Sequence, residues 1–251
     1  MILFPAIDIL GGKAVRLAQG SYSDVTAYNP DPVDQAAVFA EAGAQWIHIV
    51  DLDGAKTGET ENHKVIERIL SQTRIGIEVG GGIRTLETIE KYVKAGAKRL
   101  VLGTKLATDP GFVKEAVAEF GPYLVAGIDA RDGKVAVHGW TESEGIDAFE
   151  LVSRLGDMGI AHLVYTDISK DGMQTGIDSD LYSKLADLAG FPVVASGGVA
   201  SIDDIKALLK LGNRIEGVIA GKAIYEQTLD IHEALAMCAT CVPADGFAEG
   251  E

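Results

Sequence analysis

The sequence predicts an α/β fold, a (β/α)8 TIM barrel with internal half-barrel duplication, and three observations carry that prediction. Short apolar, β-branched runs alternate eight times with longer amphipathic stretches across 251 residues, with no long linker between them. Two aspartates stand in matching contexts: Asp8 closes the run 2–7 and Asp129 closes 123–128, an offset of 121. Two glycine turns repeat as well. Gly80-Gly81-Gly82-Ile83-Arg84 returns as Ser196-Gly197-Gly198-Val199-Ala200 at an offset of 116, and Leu102-Gly103-Thr104-Lys105 returns as Ala220-Gly221-Lys222-Ala223 at 118. A doubly wound open sheet would also alternate, but halving of the pattern favours a closed ring built from two four-unit halves.

In chain order, the buried run 2–7 leads to a helix at 32–43, opened by the capping pair Asp31-Pro32 and stopped by Gly43. Strand 46–50 leads to a helix at 61–72, and strand 75–79 to one at 85–95 that ends at Gly96. Strand 98–102 leads to a helix at 109–120, where Asp109-Pro110 repeats the opening device. The second half follows the same plan. Strand 123–128 precedes a helix at 146–158 ending at Gly159, and strand 160–166 precedes one at 178–189 ending at Gly190. Strand 191–196 precedes a helix at 201–211, begun by the capping Ser201 and ended by Gly212, and strand 216–220 precedes the last helix at 230–240.

A hydrophobic content of 47 % supports a sizeable core, expected as one barrel domain over 1–242 with a disordered acidic tail at 243–251. No apolar run reaches membrane-spanning length, and the start lacks the basic region and cleavage pattern of a signal peptide, so a cytoplasmic protein without a membrane partner is expected. A net charge of −15 disfavours nucleic acid, and the barrel is expected to act as a monomer. Cys238 and Cys241 form a lone C-x-x-C, read as the frayed end of the last helix rather than a zinc or redox site. None of the five histidines has metal-ligand spacing with another, so no metal is expected; His48 and His162 fall within strands and read as packed side chains. No nucleophile elbow or Schiff-base lysine stands out.

In such a barrel, function lies where strands end and helices begin. The segments 8–31, 51–60, 129–145 and 167–177 on that side are long, which suggests mobile covers over a site. Gly197-Gly198 and Gly221-Lys222 occupy the phosphate position common in these barrels, and Gly81-Gly82 with Gly103-Thr104 repeats it across the mouth. The implied ligand is a small molecule with a phosphate at each end and its middle over Asp8 and Asp129. Opposed carboxylates suit proton transfer, one taking a proton from carbon while the other donates to oxygen. Trp140, in the loop run His138-Gly139-Trp140, either covers an apolar gap or stacks on a flat heterocycle.

Several segments in order resemble one family, the phosphoribosylformimino-aminoimidazole carboxamide ribotide isomerases of histidine biosynthesis. They are Pro5-Ala6-Ile7-Asp8, Gly12-Lys13-Ala14-Val15-Arg16-Leu17 with Gln19-Gly20, His48-Ile49-Val50-Asp51-Leu52-Asp53, Gly80 to Arg84, Leu102-Gly103-Thr104, Gly139-Trp140, Thr166 to Gly172 and Ala195 to Val199. The resemblance ends near Val242. It implies an Amadori rearrangement, in which an aminoaldose ring opens and an enolaminol collapses to an aminoketose, with no metal, nucleotide cofactor or partner chain. It makes Asp8 the general base at C2′ and Asp129 the general acid at the ring oxygen, with Asp171 as the rival acid. Arg16, Arg84 and Thr166 match substrate-contacting positions, and Trp140 matches the aromatic that packs on the base-like ring. Two relatives are alternatives. The cyclase of the next step needs a glutaminase partner and a different loop after strand one. Dual-substrate isomerases that also serve tryptophan synthesis resemble this chain but usually carry serine at the position of Gly81, and arginine shortly before Gly-Trp, where this chain has Ala136-Val137-His138.

Overall fold

The computed structural model describes residues 1–18 and 20–239. Eight parallel strands form its centre: β1 (Ile2–Leu10), β2 (Trp46–Asp51), β3 (Gly76–Gly80), β4 (Arg99–Leu102), β5 (Leu124–Arg131), β6 (Leu163–Asp167), β7 (Val193–Ser196) and β8 (Ile215–Ala220). Each pairs with the next. The two seams between the halves place Leu100 on β4 opposite Leu124 on β5 and Ile2 on β1 opposite Gly217 on β8, so the ring is closed. The expected eight strands and their order are those observed.

Around the ring lie α1 (Pro32–Glu41), α2 (His63–Gln72), α3 (Leu86–Ala95), α4 (Pro110–Phe120), α5 (Ala148–Ser153), α6 (Ser179–Ala189), α7 (Ile202–Leu209) and α8 (Ile231–Ala239). Their starts use the expected caps: Asp31 accepts from the Val33 N–H, Asp109 from the Phe112 N–H, and Ser201 forms a capping box with Asp204. One helix is shorter than expected. The pattern at 146–158 yields only α5, because Gly156 is a poor helix former and the chain turns there, the Gly159 N–H bonding the Gly156 carbonyl at 3.0 Å. Cys238 is also a correction: it is 3 % exposed and packs into the core from α8, since it lies on that helix's inner face. Gln19, Cys241 and the tail at 243–251 lie outside the described residues.

Strand alternation sorts side chains into two layers. Ile7, Ile49, Val79, Leu102 and Ile128 face outward under the helices, while Phe4, Ala6, Val125, Val164, Val194 and Ile219 fill the barrel interior. Two long loops carry strands beyond the rim. Lys13–Ala18 and Ser21–Asn29 form a hairpin that pairs antiparallel with β1, Val15 opposite Asp8, and Lys134–Val137 with Glu142–Asp147 extends β5 likewise. Asn62 fastens the first hairpin down. Its Oδ1 accepts from the Gly12 N–H at 2.9 Å, and its Nδ2 donates to Asp51 and Asp53 at 2.7 and 2.8 Å. Each partner is thereby satisfied in a buried place, which makes the anchor rigid. Among the described residues no helix is long and apolar enough to cross a membrane.

Candidate active site

Asp8 and Asp129 stand two residues before the ends of β1 and β5, four strands apart around the ring, and both line one cavity of about 1180 Å³ including its open mouth. Arg16 joins Asp8 because the hairpin folds back along β1: its Nη1 donates to Asp8 Oδ2 at 2.8 Å, while Nη2 lies 3.9 Å from Asp171 Oδ1. Burial alone disfavours the Arg16 charge, but the flanking Asp8 and Asp171 outweigh it and hold the guanidinium pKa above its ordinary value. Burial is also the main influence on both other carboxyls. It pushes Asp171 up to about 6, with Arg16 pulling down and Asp8 and Asp129 adding to the rise. It raises Asp129 too, against Thr166, Trp140 and the nearby His48, all of which favour its ionised form.

The glycine turns match in detail. Gly81 and Gly82 have φ of 93° and 74°, and Gly197 and Gly198 have 91° and 97°, a region where side chains are strained. Space also demands glycine: a Cβ on Gly81 would run into the Asp51 carbonyl oxygen, and one on Gly197 would lie 2.6 Å from that of Asp167. Gly103 (φ −98°, ψ −96°) leads into the helical turn Thr104–Thr108, and Gly221 (φ −118°, ψ −90°) leads into Lys222–Tyr225. Both short helices fall where the sequence suggested only turns. A smaller cavity lined by Gly197, Gly198, Gly221 and Lys222 shares Arg16 and Asp171 with the main one. On the opposite side, Arg84 lies over Gly58 and donates to the Ala55 carbonyl at 3.0 Å.

The segment 138–140 is wound unusually: His138, Gly139 and Trp140 have φ of 53°, 63° and 69°. Left-handed backbone at a histidine and a tryptophan costs about 1–2 kcal/mol per residue, so something must hold it. The His138 N–H donates to the Thr104 hydroxyl at 3.0 Å, the Thr141 hydroxyl to the His138 carbonyl at 2.8 Å, and the Trp140 Nε1–H to Asp129 Oδ2 at 2.7 Å. The indole packs against Gly20 of the first hairpin, where a side chain would collide with it. Trp140 therefore covers the carboxylate at the centre of the site.

Every residue singled out from the sequence lines one of the two cavities: Asp8, Arg16, Gly82, Arg84, Gly103, Thr104, Asp129, Trp140, Thr166 and Asp171 the larger, Gly197, Gly198, Gly221 and Lys222 the smaller. One residue was missed. His48, read as packed, lines the cavity, and its Nδ1 lies 2.7 Å from Glu78 Oε1. Strand alternation held the signal, since His48 precedes the cavity-lining Val50 by two positions and so shares its face. His48 is buried as read, at 8 % exposed, whereas His162 is not: it precedes β6 and bonds Glu216 at 3.0 Å with 35 % of its side chain exposed.

Comparison with known proteins gives a family match and close relatives. The family model described as "Histidine biosynthesis protein" matches residues 2–230. A protein of Rhodopseudomonas palustris strain BisB5 is 47 % identical over 238 residues, covering 94 % of this chain and 97 % of its own. Similar proteins of Chelativorans sp. strain BNC1, at 46 % (94 % and 98 % covered), and Marinobacter nauticus strain VT8, at 45 % (95 % and 98 %), share its name. That name is 1-(5-phosphoribosyl)-5-((5-phosphoribosylamino)methylideneamino)imidazole-4-carboxamide isomerase.

Proposed function

The chain belongs to the histidine biosynthesis protein family, and from that premise we infer that it acts on the two-phosphate compound its relatives are named for. It is an isomerase of histidine biosynthesis, converting the phosphoribosylamino end of that compound to the ribulosyl isomer by an Amadori rearrangement. The observation that carries this is the pair of carboxylates on opposite strands of one cavity, set between two matched glycine turns. One phosphate sits at Gly198, Gly221 and Lys222, the other at Gly82, Gly103 and Thr104, where bare N–H groups meet the anion. Conversion of the purified substrate, followed by chromatography of the product, tests the assignment, and no conversion would refute it.

Between the phosphates, the ring oxygen takes a proton as its bond to C1′ breaks and the nitrogen lone pair forms C1′=N. Asp8 then removes the C2′ proton, leaving an enolaminol that collapses to the ketone. Two carboxyls compete to protonate the ring oxygen. Asp129 stands on a rigid strand end, but its Oδ2 already accepts a hydrogen bond from Trp140, which favours the ionised form. Asp171, raised to about 6 and with Arg16 no nearer than 3.9 Å, can hold a proton for the ring oxygen, and the donor role goes to it. Asp129 then supports the cationic C1′=N and holds Trp140 in place until the imidazole ring displaces the indole from its carboxylate.

Two expected results follow from this geometry. A product complex should hold one phosphate near Gly198 with Gly221 and one near Gly82 with Gly103; a phosphate bound elsewhere would refute the bisphosphate argument. Phosphoribosylanthranilate, with one phosphate and a carboxylated ring, should be a poor substrate. Gly81 has no room for the serine of the dual-substrate relatives, and His138 already faces Glu142 at 3.1 Å, an arrangement unsuited to a further carboxylate. The two kcat/KM values should differ by more than about a hundredfold, or roughly 2.7 kcal/mol; a smaller gap, or rescue of growth without tryptophan, would place the enzyme with the dual-substrate group. The enzyme is taken to act as a cytoplasmic monomer, which light scattering and cell fractionation check.

A further inference from the structure

The interior of a (β/α)8 barrel is normally filled by apolar side chains, and the second half of this one conforms, with Val125, Val164, Val194 and Ile219 packed together. The first half does not. At the offset of 116 that relates the Gly81 and Gly197 turns, Val164 and Val194 correspond to His48 and Glu78. Packing alone therefore asks for no charge at these positions. Glu78 is nevertheless fully buried, and a buried carboxylate is costly unless paired. Its Oε1 meets His48 Nδ1 at 2.7 Å on the adjacent strand, whereas its Oε2 makes no hydrogen bond and has Arg99 only at 3.9 Å.

That arrangement sets the histidine for use. With Glu78 ionised, Nδ1 carries the hydrogen and Nε2 keeps its lone pair, on a ring that lines the same cavity as Asp8 and Asp129. The charged groups around the ring are Glu78 on β3, Arg99 on β4 behind it, and Asp129 on β5; β1 presents Ala6 opposite it, with Asp8 two residues further along.

We propose that His48 is a third catalytic group of this site: its Nε2 takes the proton of the substrate's 2′-hydroxyl as the enolaminol collapses to the ketone, with Glu78 as its positioning residue. This rests on the isomerase assignment above. The O–H electrons become the second C2′=O bond, and the C1′=C2′ pair takes up the proton that Asp8 removed from C2′ and returns to C1′. The imidazolium is neutralised by Glu78 until its proton passes to solvent on product release. Neither an oxidant nor a second substrate is needed.

His48→Asn tests this, because the asparagine amide keeps a donor where Nδ1–H stands but cannot carry the proton. With the intact enzyme, kcat should fall about 10² or more, KM should stay within about threefold, and solvent deuterium should still enter C2′, since Asp8 is untouched. Glu78→Gln keeps the shape and removes the charge; kcat should fall less, and the acidic limb of its pH profile should move to lower pH. If His48→Asn turns over within about tenfold of the parent, or loses deuterium exchange together with turnover, the proposal is overturned. If Glu78→Gln leaves both kcat and the pH profile unchanged, the positioning role is overturned. A parent enzyme that fails to convert the bisphosphate overturns the assignment of the whole site, whereas an active parent with an unaffected His48→Asn overturns this proposal alone.

Discussion

Asp8→Asn should abolish turnover, by about 10² to 10⁴ or more, while the barrel stays folded and substrate still binds. The amide has the shape of the carboxylate and its oxygen still accepts from Arg16, which now stands 2.8 Å from Asp8 Oδ2, so the hairpin keeps its place. What disappears is the ability to remove a proton from carbon. Arg16 also loses one counter-charge but keeps Asp171 in reach at 3.9 Å, so phosphate and sugar contacts should survive with a modest change in affinity. Circular dichroism, calorimetric binding of substrate and kcat decide the matter together. Activity within about tenfold of the parent, in a folded variant, would remove Asp8 from its role.

Asp171→Asn should also cost about 10² to 10⁴ in turnover, with loss of ring opening in single-turnover experiments, because the amide has no acidic proton for the ring oxygen. A second signature follows from the same burial. In the folded enzyme this carboxyl is pushed up to about 6, above the roughly 3.9 of an unfolded chain. The folded state therefore binds more protons than the unfolded one between these values, and stability falls as pH rises through that window. Above about pH 6 the ionised, buried carboxylate destabilises the fold by on the order of 1–2 kcal/mol, allowing for its 17 % exposed side chain. Asp171→Asn should thus be more stable than the parent at pH 7 and no more stable near pH 4, as urea titrations at the two pH values would show. Asp129→Asn should instead weaken the Trp140 contact and slow the reaction while leaving single-turnover ring opening detectable. The reverse pattern, with ring opening lost only in the Asp129 variant, would move the proton donor back to the strand end.

Much of this site was legible in the sequence because its parts repeat locally. Asp8 and Asp129 each close an apolar run, and glycines at 81, 82, 197 and 198 mark places where backbone crowding and positive φ exclude side chains. Alternation of two periodicities, with caps at Asp31, Asp109 and Ser201, was enough for eight units in order. These features depend on neighbours within a few residues, and the duplication made each of them visible twice.

The rest depends on contacts between residues far apart in the chain. Strand pairing across β2 and β3 brought the buried His48 onto Glu78, and closure of the ring made the face they share the wall of a cavity. Folding of the first hairpin along β1 placed Arg16 between Asp8 and Asp171, carboxylates 163 residues apart in the sequence. The indole of Trp140 was open to two uses; its loop folds back so that it bonds Asp129 on β5, and its contact with Gly20 arises where loops of opposite halves meet. Residue types and local periods determined the barrel, its phosphate turns and its two strand-end carboxylates. Which of those carboxylates is crowded by an indole, and which is buried next to an arginine, was decided only in the tertiary structure, because hydrogen bonds and desolvation act between groups that the chain itself keeps apart.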